Sequence, residues 1–593
     1  MAEYKAPLDD IRFVLNHVFN VGDFWQSLAG IEDVDTDTAD AILEEAAKIC
    51  EQVLAPLNRE GDEEGSHWND GEVTSPKGFK EAYQTYCEGG WGGLGGNPEY
   101  GGMGMPKTLV SAVEEMVQGS CISFGLAPML TAGACLAMNI HASDELKDTY
   151  LEKLYSGQWS GAMDLTEPHC GTDLGLIRTK AVPNEDGSYS ISGTKIFITW
   201  GEHDMAENII HMVLAKLPDA PAGSKGISLF LVPKFLPNDD GSLGERNPMA
   251  CGSLEKKMGI KGSATCVMNF DGAKGWLVGE PNKGLACMFT MMNYERLAVG
   301  IQGMGVAENA YQGALAYAKD RLQGRSPTGT QTPDKEADNL LVHPDVRRML
   351  LTMKAFNEGG RAFYTYVAKW LDISKYSDNA DDIKHAESMV ALLTPISKAF
   401  LTDVAFQTAV LGQQVLGGHG FIREWGQEQH VRDIRITQIY EGTNGIQAMD
   451  LIGRKTVMSK GELLALFVAD VEAFLADKGS ALDGDTIVAP LKAALADLQQ
   501  ATDLVLQQTA EDPCAPGAAA VDYLDMFGYV AYAYMWAMML AALPQAEASP
   551  NFVAGKQATG QFYFAKLLPQ VQLLKQRIAA GSSTLMAMSE DQF

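Results

Sequence analysis

The spacing of apolar residues changes twice along this chain, near residue 159 and again near 286, and each change marks a switch of secondary structure. From 36 to 158 the spacing is helical, as in Ala39-Ala41-Ile42-Ala46-Ala47-Ile49-Cys50 and Leu109-Ala112-Val113-Met116-Val117. Between 159 and 285 the chain turns to short β-branched runs bounded by Gly, Pro and Asp. Examples start at Tyr189, Ile209 and Gly226, and they read as strands. Helical spacing then returns and continues to about 455. A polar loop interrupts it from Gly324 to Pro333, with turn residues out to Asp338. The last stretch reads as another helical bundle with breaks near 478–485, 513–519 and 544–550. The sequence therefore predicts an α+β multi-domain chain. It comprises an N-terminal extension (1–35), a helical domain (36–158), a β domain (159–285), a helical bundle (286–455) and an additional helical domain (456–593).

At 593 residues the chain has room for about three or four domains. Its net charge of −30 disfavours nucleic acid or an anionic membrane surface as the main partner, because both need a basic footprint. Nine scattered cysteines without a Cys-x-x-Cys pair predict free thiols in a reducing cytoplasm and no zinc site. The opening residues carry acids and no apolar run, so no secretion signal is expected. Met526 to Leu543 runs without a charge at nearly membrane-spanning length. It lacks a basic flank, however, and reads as a helix buried in a bundle; peripheral membrane association stays open. A literal G-x-G-x-x-G at Gly90–Gly95 follows a helical pattern rather than a strand, which excludes a dinucleotide fold there.

Several motifs carry chemistry. Glu441, in Tyr440-Glu441-Gly442-Thr443-Asn444, is a lone carboxylate in mostly apolar company. Desolvation there would favour a general base; a helix terminus is the plainer alternative. Upstream lie Asp164-Leu165-Thr166-Glu167-Pro168-His169-Cys170-Gly171-Thr172-Asp173 and Lys195-Ile196-Phe197-Ile198-Thr199-Trp200, where alternation places Phe197 and Thr199 on one strand face. Tyr294-Glu295-Arg296-Leu297 precedes a Gly-rich helix. Two further segments are Arg321-Leu322-Gln323-Gly324-Arg325, with two arginines, and the Gly-rich Gln414-Val415-Leu416-Gly417-Gly418-His419-Gly420-Phe421, where glycines let backbone amides approach a partner.

In their order, these motifs resemble the acyl-CoA dehydrogenase family over about residues 40–455. The 456–593 extension is similar to the large-subunit branch, which includes long-chain and 3-methylmercaptopropionyl-CoA dehydrogenases. The resemblance implies an N-terminal helical domain, a central β-barrel or sandwich and a C-terminal four-helix bundle, plus the extra helical domain. It implies FAD as cofactor, with the Leu165 backbone and Thr166 hydroxyl at the isoalloxazine edge. Thr172 would lie toward flavin phosphate or thioester, and Phe197 and Thr199 would back the ring, Phe197 standing where many members carry Trp. Arg321, Gln323, Gln414, Gly417 and Gly418 would bind the pyrophosphate and adenosine of a neighbouring subunit's FAD, which implies a homo-oligomer, a dimer first. Thr443 and Asn444 would lie beside FAD, and Tyr440, Arg296 and Gly442 beside substrate or CoA; Arg432 and Arg435 would serve packing or CoA contacts.

By the same resemblance Glu441 is the base that removes the α-proton of an acyl-CoA thioester while the β-hydride passes to flavin N5, giving a trans-2-enoyl-CoA. Glu295 is its rival, since some branches keep their base at that position. The expected substrates are 3-methylmercaptopropionyl-CoA or medium- to long-chain fatty acyl-CoA, in β-oxidation or dimethylsulfoniopropionate catabolism. Electron-transferring flavoprotein is the expected acceptor. An acyl-CoA oxidase using O2 would share the fold and base. A DNA-binding relative of the fold is disfavoured by the net charge.

Overall fold

A computed structural model describes residues 3–593, which fall into two compact units. The first consists of 48–106 and 120–298, the second of 3–47, 107–119 and 299–593. The opening turns of one long helix belong to the first unit and the remainder to the second.

The first unit is built on seven strands. They are β1 (Trp159–Asp164), β2 (Lys180–Pro183), β3 (Tyr189–Thr199), β4 (Asn208–Lys216), β5 (Ile227–Pro233), β6 (Met249–Leu254) and β7 (Thr265–Val278). Pairing runs β6-β7-β3-β2-β4-β1, and β5 joins β7 to β4, so the path β7-β3-β2-β4-β5 closes on itself. Closure needs a long strand that serves two neighbours. β7 does this by pairing Thr265–Gly275 with β3 and Trp276–Val278 with β5. Closing the ring leaves free edges to β6 and β1, the two ends of the path. β4 and β5 are buried along almost their whole length rather than alternately. The reason lies in their neighbours: helix α1 (Ile122–His141) contributes Leu130, Ala134 and Met138 to one core with Trp159, Ile210, Met212, Leu229 and Leu231. Strands covered on both faces read as continuous apolar runs.

The second unit contains most of α2 (Gly284–Asp320), then α3 (Pro344–Tyr376) and α4 (Ala380–Val415). It continues through the C-terminal helices α5 (Glu462–Lys478), α6 (Ala489–Glu511), α7 (Ala515–Ala542) and α8 (Pro550–Phe562). α7 carries the chargeless run, and its aromatic face is inside. Tyr532 and Trp536 are fully buried, and the Trp536 indole N–H donates to the Ala355 carbonyl at 3.2 Å. Gly528 allows Phe400 of α4 to lie against the helix axis, since a Cβ there would be 2.2 Å from the ring. Among the described residues three helices (Ile122–His141, Ala380–Val415 and Ala515–Gln545) are long and apolar enough to cross a membrane, and each is mostly buried within the protein.

Buried charge ties this unit's distant segments together. The Arg361 guanidinium meets Asp10, Glu115 and Glu308, while Lys556 of α8 reaches Asp10 and Glu358. Breaking a buried pair costs more than making it gains, so such a network specifies how the extension docks rather than adding much net stability. Asp372 of α3 works differently: its carboxylate accepts the amides of Lys107 and Thr108 at 2.6 and 3.0 Å, capping the helix Lys107–Ser120 from far away in sequence. Burial pushes its pKa up to about 6 despite those donors.

Candidate active site

In the first unit the segment after β1 folds into a tight reversal. Glu167 and Cys170 exchange two backbone hydrogen bonds at 3.0 Å, which leaves Pro168-His169 at the tip. This loop is strapped to β3. The Ile196 amide donates to the Thr166 carbonyl at 2.9 Å, and the Lys195 ammonium donates to the Leu165 carbonyl and to Glu167 Oε1 at 2.9 and 3.0 Å. Leu165, Thr166, Phe197 and Thr199 are therefore brought together on one loop and its adjoining strand. Thr172 lies further along and is exposed. Neither the amide nor the hydroxyl of Thr166 has a protein partner among the described residues.

Phe197 departs from simple alternation. Its φ is +61°, in the region that favours glycine, and its ring is 58% exposed. The cause is a bulge: pairing with β7 jumps from Cys266↔Ile198 to Met268↔Lys195, so β3 carries an extra residue there. A bulky residue held at positive φ costs about 1–3 kcal/mol and persists where the surroundings dictate it. The bulge turns an aromatic residue outward on the strand to which the Thr166 loop is strapped.

Glu167, which carried no role in the sequence, is the anchor of the loop. Its carboxylate accepts Thr179 N, Thr179 Oγ1, Arg178 N and Lys195. Burial works to raise its pKa, yet Lys195 and these donors hold it below the ordinary range. Just before the loop, Asp164 accepts from His211 Nδ1 at 2.9 Å with both side chains fully buried. Glu167, His169 and Cys170 also bring three metal-type ligand atoms within 4.8 Å of one another. A cation there would compete with the Lys195 ammonium for the same carboxylate, so the arrangement fits a structural anchor better than a metal centre.

Glu295 lies on α2 in the same unit and is wholly buried. It packs so closely against α1 that a Cβ on Gly133 would be 2.3 Å from its Oε1. Arg296, one residue on, bonds Asn293 at 3.2 Å and lies over the Phe289 ring.

In the second unit Glu441 is not a helix terminus. It occupies a turn between the 3-10 segment Arg435–Gln438 and the short helix Asn444–Met449, half-buried, with φ +55°. Gly442 follows at φ +83°, and Gln447 bonds the carbonyls of both residues at 3.3 Å. Tyr440 donates to Gln302 Oε1, and Gln302 in turn donates to Gln118 at 3.0 Å. This buried relay fixes the ring before the carboxylate, and its long sequence separations hid it from motif reading. Thr443 is the helix N-cap, accepting from the Ile446 amide at 3.3 Å. The Asn444 side chain faces the bundle: its Nδ2 donates to Ala399 O, Thr402 Oγ1 and Asp403 Oδ1, and its Oδ1 accepts from Lys398. With both ends of its amide engaged, Asn444 ties the turn to α4. Arg432 pairs with Glu428 and Arg435 with Gln438.

Arg321, Gln323, Gln414, Gly417 and Gly418 of this unit are all exposed. A Cβ added to Gly417 or Gly418 would meet nothing within 4 Å, and Phe421 beside them is 82% exposed. The two motifs meet through Tyr317, whose hydroxyl bonds His419 at 2.9 Å, while His419 stacks on Trp425 at 4.4 Å. Arg325 belongs instead to the polar loop that starts at Gly324, where it bonds Thr332 O, Lys335 O and Asp338. Asp338 also collects the amides of Ser326, Gln331 and Thr332, which lowers its pKa and orders the loop.

These arrangements coincide with family-level matches along the whole chain. Family models match 36–158 (acyl-CoA dehydrogenase, N-terminal domain), 162–273 (middle domain), 282–456 (C-terminal domain) and 467–589 (acetyl-CoA dehydrogenase C-terminal like). The chain belongs to the acyl-CoA dehydrogenase family, whose members are FAD-dependent oxidoreductases. It is 42% identical to a 3-methylmercaptopropionyl-CoA dehydrogenase of Ruegeria pomeroyi, over 99% of this chain and 100% of that protein. It is 35% identical to a butyryl-CoA dehydrogenase of Syntrophomonas wolfei, over 100% and 99%. Its fold is similar to that of an acyl-CoA dehydrogenase from Bacillus anthracis complexed with FAD, with TM-score 0.72 and 20% identity over 99% of this chain and 93% of that one.

Proposed function

We propose that this acyl-CoA dehydrogenase desaturates a short acyl-CoA thioester, 3-methylmercaptopropionyl-CoA first, and that Glu441 is its base. The observation carrying the assignment of the base is the Glu441 turn. A half-buried carboxylate sits at positive φ, with a tyrosine fixed by a glutamine relay before it and a glycine after it. Full-length similarity to a dehydrogenase named for that thioester supports the substrate. A straight-chain C4 thioester is the second reading, supported by the butyryl-CoA dehydrogenase matched end to end.

A thioester α-proton is too weakly acidic for a solvated carboxylate to remove quickly, so the base must be positioned and partly desolvated. The turn holds Glu441 through its own carbonyl and that of Gly442, and Gln302 fixes the Tyr440 ring before it. FAD, when bound, supplies the acceptor for the hydride that leaves Cβ. The Thr166 amide and hydroxyl, Phe197 and Thr199 would hold its ring system. Arg321, Gln323, Gln414, Gly417 and Gly418 would hold the pyrophosphate and adenosine of a second subunit's FAD. That assignment makes the protein a homo-oligomer, with a dimer the smallest form. Electron-transferring flavoprotein in the cytoplasm is the proposed acceptor.

Anaerobic titration of the FAD-loaded protein with a panel of acyl-CoAs tests this. Bleaching should be fastest with the methylthio-acyl and C4 thioesters, and reoxidation should need the flavoprotein rather than air. Fast bleaching only by long chains, or rapid oxygen consumption, would overturn the substrate or acceptor reading respectively.

A further inference from the structure

Lys195 opens the strand motif that carries Phe197 and Thr199, and it is more deeply buried than any other lysine or arginine described in the β domain. Its side chain is wholly buried, and its ammonium donates to the Leu165 carbonyl at 2.9 Å and to Glu167 Oε1 at 3.0 Å. Burial lowers its pKa, while Glu167 and Asp164 oppose that shift. The Leu165–Thr166 peptide is trans, so its N–H points opposite to the carbonyl that Lys195 holds. A cation bonded to the carbonyl end of a peptide polarises the N–H at the other end and makes it a stronger donor. That N–H belongs to Thr166, whose amide has no protein partner among the described residues.

We infer that Lys195 is a positioning residue that tunes the flavin. Through the Leu165–Thr166 peptide it projects positive potential at the ring edge, favouring the electron-rich reduced cofactor, and Glu167 limits that potential. This rests on the proposed placement of the isoalloxazine ring at the Thr166 loop. The two buried partners should then act with opposite signs. Removing the cation disfavours reduction, whereas removing the counter-charge favours it. A role confined to folding would move both variants the same way.

The test is the two-electron midpoint potential of FAD bound to full-length wild type, Lys195→Met, Lys195→Arg and Glu167→Gln, with FAD content and unfolding midpoints measured alongside. Lys195→Met should shift the oxidised–reduced equilibrium about tenfold toward oxidised, about 30 mV lower for a two-electron couple. Lys195→Arg should restore most of that shift, and Glu167→Gln should move the potential upward. Equal potentials in all four proteins, or shifts of one sign in Lys195→Met and Glu167→Gln, would overturn the inference. If Lys195→Met fails to hold FAD, the Glu167→Gln potential decides: no upward shift overturns it. A wild type that takes up no FAD overturns the flavin placement itself, and the inference with it.

Discussion

Two glutamates in this chain sit next to an aromatic residue in motif-rich surroundings, and the backbone treats them in opposite ways. Glu295 belongs to a long regular helix, wholly buried and pressed against a glycine of its neighbour. Glu441 sits in an irregular turn at φ +55°, half-exposed, with its flanking carbonyls tied down by Gln447. A left-handed non-glycine residue costs about 1–2 kcal/mol. The fold spends that energy at Glu441 and not at Glu295. A base must also meet its substrate, which a side chain enclosed by packed helices does poorly. Strain and partial exposure together favour Glu441 over Glu295 as the proposed base.

The sharpest way to break this contrast is to remove each carboxylate. Glu441→Gln should lose about 10³-fold or more in turnover, within the range for a general base, while Glu295→Gln retains most of it; steady-state assays of FAD-replete protein decide. Shortening the side chain is the next largest effect. Glu441→Asp withdraws the carboxylate by one methylene and should cost about 10–100-fold in kcat, since displacements of about 1 Å carry such penalties. Gly442→Ala probes the turn itself. At φ +83°, with the new Cβ 2.6 Å from the Gln447 amide, it should lower activity about tenfold and destabilise by about 1–2 kcal/mol in denaturant melts.

The smallest effect concerns the support behind the turn. Asp525 of α7 lines a cavity of about 390 Å³ with Asp403, Arg435, Gln438, Thr443 and Asn444. Burial, and then Asp403, push its pKa up to about 7. An acid whose folded pKa is raised contributes stability that is full below its unfolded value near 4 and is lost as pH rises through about 7. Asp525→Asn should therefore flatten the stability profile between pH 4 and 7. It should also stabilise the protein at pH 8 by about 1–2 kcal/mol, less than the full linkage because such sites relax. An unchanged pH profile of thermal unfolding contradicts that reading.

The order of helices and strands was legible because each domain repeats its own period, 3.6 or 2, over many residues. The chargeless stretch of α7 was legible as a buried helix by its flanks. The local pieces of the site were legible as motifs. What sequence could not supply were features made by distant residues or by irregular backbone. Alternation pairs Phe197 with Thr199, but nothing in Lys195-Ile196-Phe197 announces a bulge or a positive φ at an aromatic residue. The Tyr440-Gln302-Gln118 relay joins the Glu441 turn to two helices distant in sequence, and Glu167 is an anchor only because Arg178, Thr179 and Lys195 converge on it. The bonds that tie Asn444 to Thr402 and Asp403 on α4 likewise join residues far apart in sequence.

The central claim is that Glu441, not Glu295, takes the α-proton. Single-turnover mixing of an acyl-CoA with each FAD-loaded glutamine variant under anaerobic conditions tests it most directly. The account predicts that flavin colour persists in Glu441→Gln after substrate binds and bleaches at near wild-type rate in Glu295→Gln. Prompt bleaching of Glu441→Gln, with colour retained in Glu295→Gln, would contradict it.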